Sequence, residues 1–135
     1  MFSSLNWKFL IISCKANLGN DLSPFILEKK SRAIIKTGLF LEIPEGFEAQ
    51  IRSRSGLSIK NGVVVLNSPG TIDSDYRGEV GVILINHSES DFIISNGDRI
   101  AQMVIAPFTK VNLVEVNDLN PSQRAEGGFG STGNN

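Results

Sequence analysis

The stretch "GVVVLNSPGTIDSDYRGEVGVILINHS", residues 62–88, decides the fold class. Two apolar runs rich in β-branched residues, 63–66 and 82–85, bracket a polar segment punctuated by proline, glycine, asparagine and aspartate. Branching at Cβ crowds a helix and suits a pleated strand, and the punctuating residues favour turns. Neither run alternates apolar with polar, so each reads as a strand buried on both faces. In a small all-β protein that calls for a second sheet or another subunit to pack against. The pattern repeats on either side, in "AIIKTGLFLEIP" (33–44), "AQIRSRS" (49–55), "DFIISNGDRIAQMVIAPF" (91–108) and "NLVEV" (112–116). Only "SRSGLSIKNG" (53–62) offers a helical turn, with Leu57 and Ile59 on it. The expected architecture is all-β, a double-sheet jelly roll or barrel. From about Asn117 the composition turns polar, and 117–135 reads as an extended C-terminal arm.

A chain of 135 residues suits a single domain, 1–135, and 41% hydrophobic residues suffice for an ordinary core. With 13 basic against 14 acidic residues the net charge is -1, which argues against a protein that coats nucleic acid. One cysteine, Cys14, excludes an intrachain disulfide framework and fits a reducing compartment. Cys14 and the single His87 are too few for a Cys/His zinc site. His87, in "NHSESD", reads as a surface residue. The N-terminal "WKFLIISCKA" superficially resembles a lipoprotein cleavage site, but its apolar run, Phe9 to Ile12, is too short for a signal-peptide core or a membrane span. A buried strand is the simpler reading, with a cytoplasmic location and no membrane partner.

Three polar clusters interrupt the strands. In "RSRSGL", Arg52, Arg54 and Ser55 precede Gly56; arginine suits bidentate phosphate contacts, and glycine frees the backbone beside them. From that hexamer alone a solvated turn is the simpler reading. In "NSPGTIDSDYRGE", Asn67 carries the donor and acceptor needed to read a nucleobase edge, or to brace a turn. Asp73 follows the β-branched Ile72 and is expected at the start of a strand, where a fixed carboxylate can act as general base on water. Tyr76 could pack under a sugar, although Asx-turns and a core tyrosine explain the segment equally well. In "NGDRIAQMV", Gln102 projects from an apolar strand.

The chain ends in "RAEGGFGSTGNN", 124–135. A glycine-rich terminus is costly to order and by default is a linker. Phe129 amid the glycines, with Arg124 ahead and Ser131 and Thr132 behind, offers instead an aromatic face, free N–H groups and hydroxyls. Such a segment could wrap a base and its phosphates, mobile when empty and ordered by ligand.

Taken in order, Arg-Ser-Gly, "NSPGTIDSDYRG", "GDRIAQ" and "RAEGGFGSTG" resemble four of the five motifs of the trimeric dUTPase family, the dUTP diphosphatases, over roughly Ala33 to Gly133. The resemblance implies a jelly-roll homotrimer whose sites are shared between subunits. It implies Mg2+-assisted hydrolysis of dUTP to dUMP and pyrophosphate, which limits uracil incorporation into DNA and supplies dUMP for dTMP synthesis. By the same resemblance Asp73 activates the attacking water, and the ring of Tyr76 packs on deoxyribose and excludes a 2′-hydroxyl. Asn67 and the hairpin that follows it, with Thr71, Ile72 and through about Gly81, form a uracil slot closed to a 5-methyl group. Arg54, Ser55 and Gly56 form the phosphate loop, and Gln102 adds a phosphate ligand. Phe129 stacks on uracil; Arg124, Gly130, Ser131 and Thr132 close on the γ-phosphate from a neighbouring subunit's arm.

The family's first motif, whose aspartate orients water on Mg2+, has no clean copy. If "CKANL" follows the motif, the aspartate's place falls at Ile12 or Ser13; if "LGNDLS" is the motif, Asp21 is the candidate metal-site acid. The first alignment is preferred, which makes 1–14 atypical, as a wrong start site or a frameshift would. Ser53 stands where the family commonly has proline, and is expected to soften the phosphate loop. Two other readings follow: a non-catalytic nucleotide-binding or regulatory protein, or a dCTP deaminase, which shares the family fold.

Overall fold

Nine strands and one short helix make up the regular structure of residues 11–20 and 23–128, the part described by the computed structural model. In chain order they are β1 (Ile11–Lys15), β2 (Phe25–Leu27), β3 (Arg32–Phe40), β4 (Phe47–Arg52), α1 (Ser55–Asn61), β5 (Val63–Val65), β6 (Gly70–Ile72), β7 (Glu79–Asn86), β8 (Phe92–Ile94) and β9 (Arg99–Pro107). All pairings are antiparallel and form three ladders, β1-β9-β4-β6, β3-β7-β5 and β2-β8. The ladders form the jelly-roll-like arrangement that the turn-punctuated apolar runs imply.

The core lies between the inner faces of these ladders. Cys14, Ala49, Ile51, Ala101 and Met103 come from the four-stranded ladder, Ile35, Val63, Val65, Val80, Val82 and Leu84 from the three-stranded one, and Leu27 and Ile94 from the small one. Each large aliphatic side chain buried here contributes roughly 1.5–3 kcal/mol. Cys14 is part of this core, and burial pushes its thiol pKa up, so it is a packing residue rather than a reactive thiolate. Residues 1–10 of the atypical N-terminus, and with them Phe9, lie outside the described residues; the rest of the predicted buried strand is β1, the edge strand beside β9.

Two expectations need correction. The unalternated runs are not buried on both faces within the chain. Val80, Val82, Leu84 and Asn86 point inward along β7, whereas Ile83 and Ile85 are half-buried on the outer face. Ile34, paired with Ile83, is 67% exposed there. Among the described residues the outer apolar row is only partly covered. The second correction concerns "NLVEV": residues 112–116 form no strand, and Leu113 is 94% exposed. β1 and β4 already occupy both edges of β9, so the chain leaving Pro107 has no free ladder beside it.

Local chemistry sets the boundaries near the site. α1 starts at Arg54, which is extended and makes no side-chain cap, and it stops at Gly62 in the left-handed conformation (φ 64). A side chain at Gly62 would be strained by that φ and would also crowd the Ser88 backbone nitrogen at 3.3 Å. The predicted turn is therefore a real helix of 7 residues, but none of them is buried and Ile59 lies open to solvent. His87 is exposed, as its polar surroundings suggest.

The residue before it carries the weight. Asn86 is 0% exposed and makes its full complement of bonds. Its Nδ2 donates to the carbonyls of Leu27 (3.1 Å) and Ser90 (2.8 Å), and its Oδ1 accepts from the Ser88 N–H and hydroxyl (2.9 and 2.8 Å). It ties the end of β7 to β2 and to the turn that leads into β8. Asn86→Ala should lower unfolding free energy by roughly 2–3 kcal/mol, because it orphans buried groups as well as losing bonds. Urea denaturation checks this; a loss below about 0.5 kcal/mol, the scale of ordinary surface substitutions, would remove the tie from the account.

Candidate active site

The β6–β7 hairpin builds a slot of about 330 Å3 lined by Ile34, Thr71, Ile72, Asp73, Tyr76, Glu79, Gly81 and Ile83. Five of these, Thr71, Ile72, Asp73, Tyr76 and Gly81, are residues the sequence points to. The slot exists because β7 lacks a side chain at Gly81: a Cβ there would meet Ile34 Cγ2 at 2.8 Å. Beside it the β3–β7 ladder breaks register between Lys36 and Phe40, the kind of irregularity that re-aims side chains next to functional sites. Glu79 holds that break by accepting the Gly38 N–H on Oε1 (2.8 Å), with Lys36 3.7 Å from Oε2.

Tyr76 is not a core tyrosine. It is 45% exposed, its ring lies over Gly78, and its hydroxyl donates to the Glu79 carbonyl (3.1 Å). The ring therefore forms one wall of the slot with its position fixed. Asp73 falls just past the end of β6, not at the start of a strand, and its carbonyl accepts from the Tyr76 N–H (3.2 Å) in a tight turn. Its exposed carboxylate has no hydrogen-bond or ion-pair partner among the described residues, so it stands free at the lip of the slot. Asn67 does not line the slot: its side chain lies against Gly70, whose Cβ position is 3.1 Å from Asn67 Nδ2. Ile34, Glu79 and Ile83 are contributors that the sequence did not single out. The unalternated runs containing Ile34 and Ile83 carry that signal only once β3 and β7 are known to pair.

The second cluster lies at the other end of β4. Arg54 Nη1 donates to the Arg99 carbonyl (3.2 Å), and Gln102 Nε2 donates to the Ser53 carbonyl (3.0 Å). Arg54, Gly56, Lys60, Asp98 and Arg99 line a cleft of about 470 Å3. The N–H of Ser58 reaches back to the Arg54 carbonyl, so those of Gly56 and Leu57 precede the first helical bond and remain available to an anion. Ser55 is exposed at the same turn. Ser53 does not soften this loop. Its hydroxyl accepts the Val65 N–H at 2.9 Å and anchors the loop to β5.

The register keeps the two clusters apart. Ala49 pairs with Ile72, which places Asp73 opposite Glu48. From Glu48 to Arg54 is six residues of extended chain, or about 20 Å at ~3.3 Å per residue. Asp73 and the Arg54 loop therefore emerge at opposite ends of β4.

The described residues contain no group of three or more His, Cys, Asp or Glu side chains able to hold a metal. Ser13 pairs with Gln102 across β1 and β9, so it borders the Arg54 cluster, but a hydroxyl is a poor substitute for a carboxylate. Asp21 lies outside the described residues, as do Phe129, Gly130, Ser131 and Thr132 of the arm. Arg124 is exposed and turned back on the arm itself: its Nε donates to the Gly127 carbonyl at 2.6 Å.

Comparison with known proteins agrees with this geometry. A family model described as dUTPase matches residues 19–133. The deoxyuridine 5'-triphosphate nucleotidohydrolase of Clostridium tetani is 60% identical over 108 residues, covering 80% of this chain and 74% of that protein. A point variant of the phage 80alpha dUTPase has a TM-score of 0.75 at 26% identity, covering 94% of this chain and 99% of that one. A point variant of the dUTPase from phage phi11 of S. aureus, for which coordination of a structural Mg(II) ion is described, has the same fold with a TM-score of 0.67 at 23% identity, covering 84% and 99%. The family match over residues 19–133 and the 60% identity to the Clostridium tetani protein place this chain in the dUTPase family.

Proposed function

We propose that this chain hydrolyses dUTP to dUMP and pyrophosphate, and that it does so at sites formed between subunits of a homotrimer. The observation that carries the activity is the hairpin slot, which presents a rigid tyrosine wall, a glycine floor and one free carboxylate at the lip. Uracil and deoxyribose enter this slot. The backbone of 71–81 reads the base, with Asn67 at the hairpin's entry, and the space at Gly81 is too tight for a 5-methyl group. Tyr76 stacks on the sugar and leaves no room for a 2′-hydroxyl. Asp73 takes a proton from the water that attacks the α-phosphorus, and pyrophosphate leaves in line with the attack.

Charge on the phosphates is met by Arg54, by the open N–H groups of Gly56 and Leu57, by Ser55 and by Gln102. The separation of about 20 Å between Asp73 and that loop supports a shared site: one chain supplies the slot and its neighbour the loop. The exposed Val111, Leu113 and Val114 after Pro107 support the trimer, since they need another surface to cover them. The arm, with Phe129, Gly130, Ser131 and Thr132 near its end, closes over the nucleotide on a neighbour. Among the described residues no side-chain cage is present, and Mg2+ would be carried by the triphosphate, whose charge it would help to neutralise. Cytoplasm is the compartment this reading implies; among the described residues no helix is long and apolar enough to cross a membrane.

The missing first-motif carboxylate favours a second reading, that of a nucleotide-binding protein with little turnover. Pyrophosphate release from dUTP by the purified protein separates the two.

Asp73→Asn should retain affinity for a dUTP analogue and lose on the order of 10²–10⁴-fold in turnover, because it removes the base but keeps size and polarity. Steady-state rates beside calorimetric binding test this; turnover equal to the parent protein rejects Asp73 as the base. Tyr76→Ala should raise the use of UTP relative to dUTP, measured as the ratio of kcat/KM values. An unchanged ratio would show that the sugar is selected elsewhere.

A further inference from the structure

Ser53 lies between the end of β4 and the start of α1, and both its side chain and its carbonyl are held by other strands. Leu66 donates its N–H to Ile83 on the paired edge of β5 (2.9 Å). Along a strand successive N–H groups point to opposite edges, so the Val65 N–H faces away from β7, towards the edge where no strand lies. Val65 is 3% exposed, so water does not readily serve that donor. The Ser53 hydroxyl accepts it at 2.9 Å, while the Ser53 carbonyl accepts from Gln102 on β9 at 3.0 Å. One residue thus fixes the entry to the phosphate loop from two sides and joins two ladders that share no strand.

We propose that Ser53 is a positioning residue for the triphosphate: its hydroxyl holds the Arg54–Gly56 turn in the orientation that receives the phosphates. A turn fixed before binding surrenders less conformational freedom when the anion arrives. The bond therefore acts on the phosphate chain and leaves the base and sugar to the hairpin. This rests on the dUTP reading above.

The test uses the full chain with Ser53→Ala and Ser53→Thr, measuring affinities for α,β-imido-dUTP and dUMP, KM and kcat for dUTP, and thermal midpoints. Ser53→Ala should weaken imido-dUTP and raise KM roughly three- to tenfold, the scale of one hydrogen bond, with dUMP affinity and kcat changed less than about twofold. Ser53→Thr, which keeps the hydroxyl, should restore both. A lower thermal midpoint with both affinities unchanged, or with both weakened equally, overturns the proposal in favour of a purely structural bond. A measurement on the unmutated protein covers the case in which the alanine variant does not fold. Hydrogen exchange at the Val65 amide should slow with imido-dUTP and not with dUMP; equal rates with both ligands overturn the proposal. If the parent protein itself releases no pyrophosphate from dUTP, the dUTP reading fails, and this proposal fails with it.

Discussion

The ladder that seats β4 between β9 and β6 carries both halves of the site. Its register, with Ile51 facing Gly70 on one side and Met103 on the other, fixes where each polar turn emerges. At the C-terminal end of β4 the chain enters Ser53 and α1, beside Gln102. At the opposite end β6 runs out into Asp73 and the hairpin. A slip of one residue would turn Ala49 and Ile51 out of the core, so burial on one face holds the register firmly. The distance between the two turns is therefore a rigid property of the chain.

That distance has a chemical consequence. In the proposed reaction Asp73 and the Arg54 loop serve one bound nucleotide, yet they stand about 20 Å apart along a strand. In the proposed homotrimer the slot of one chain would be set against the loop of the next. Such an assembly would also cover the exposed apolar residues after Pro107, for which β9 has no free edge among the described residues. In that proposed assembly the bond from Ser53 to Val65 would link the loop of one site to the strand that leads into the slot of another.

Much of the fold was legible because its signals are local. β-Branched runs cut by Gly, Pro and Asn gave the strands on either side of the hairpin, and most of the slot followed from the order of "TIDSDYRG" residues. What could not be read depends on pairing. Ile34 and Ile83 become slot residues only because β3 pairs with β7 in a register that sets them beside Gly81. No local signal singles out Asn86, because one of its four bonds reaches Leu27, far away in sequence. Ser53 was misjudged because a missing proline suggests looseness, whereas the hydroxyl found a buried donor on another ladder. "NLVEV" has the composition of a strand, but composition does not say whether an edge is free to receive it.

The central claim is that the two halves of a working site come from different chains, and subunit mixing tests it most directly. One chain carries Asp73→Asn and the other Arg54→Ala, each nearly inactive alone. They are dissociated together, reassembled in equal amounts and assayed for pyrophosphate release from dUTP. If slot and loop come from neighbouring chains, random reassembly rebuilds about a quarter of the sites with both halves intact, and activity returns to that fraction of the parent protein. If each site lay within one chain, no mixture could restore it. Mixed trimers that form and remain as inactive as their parents would contradict the account.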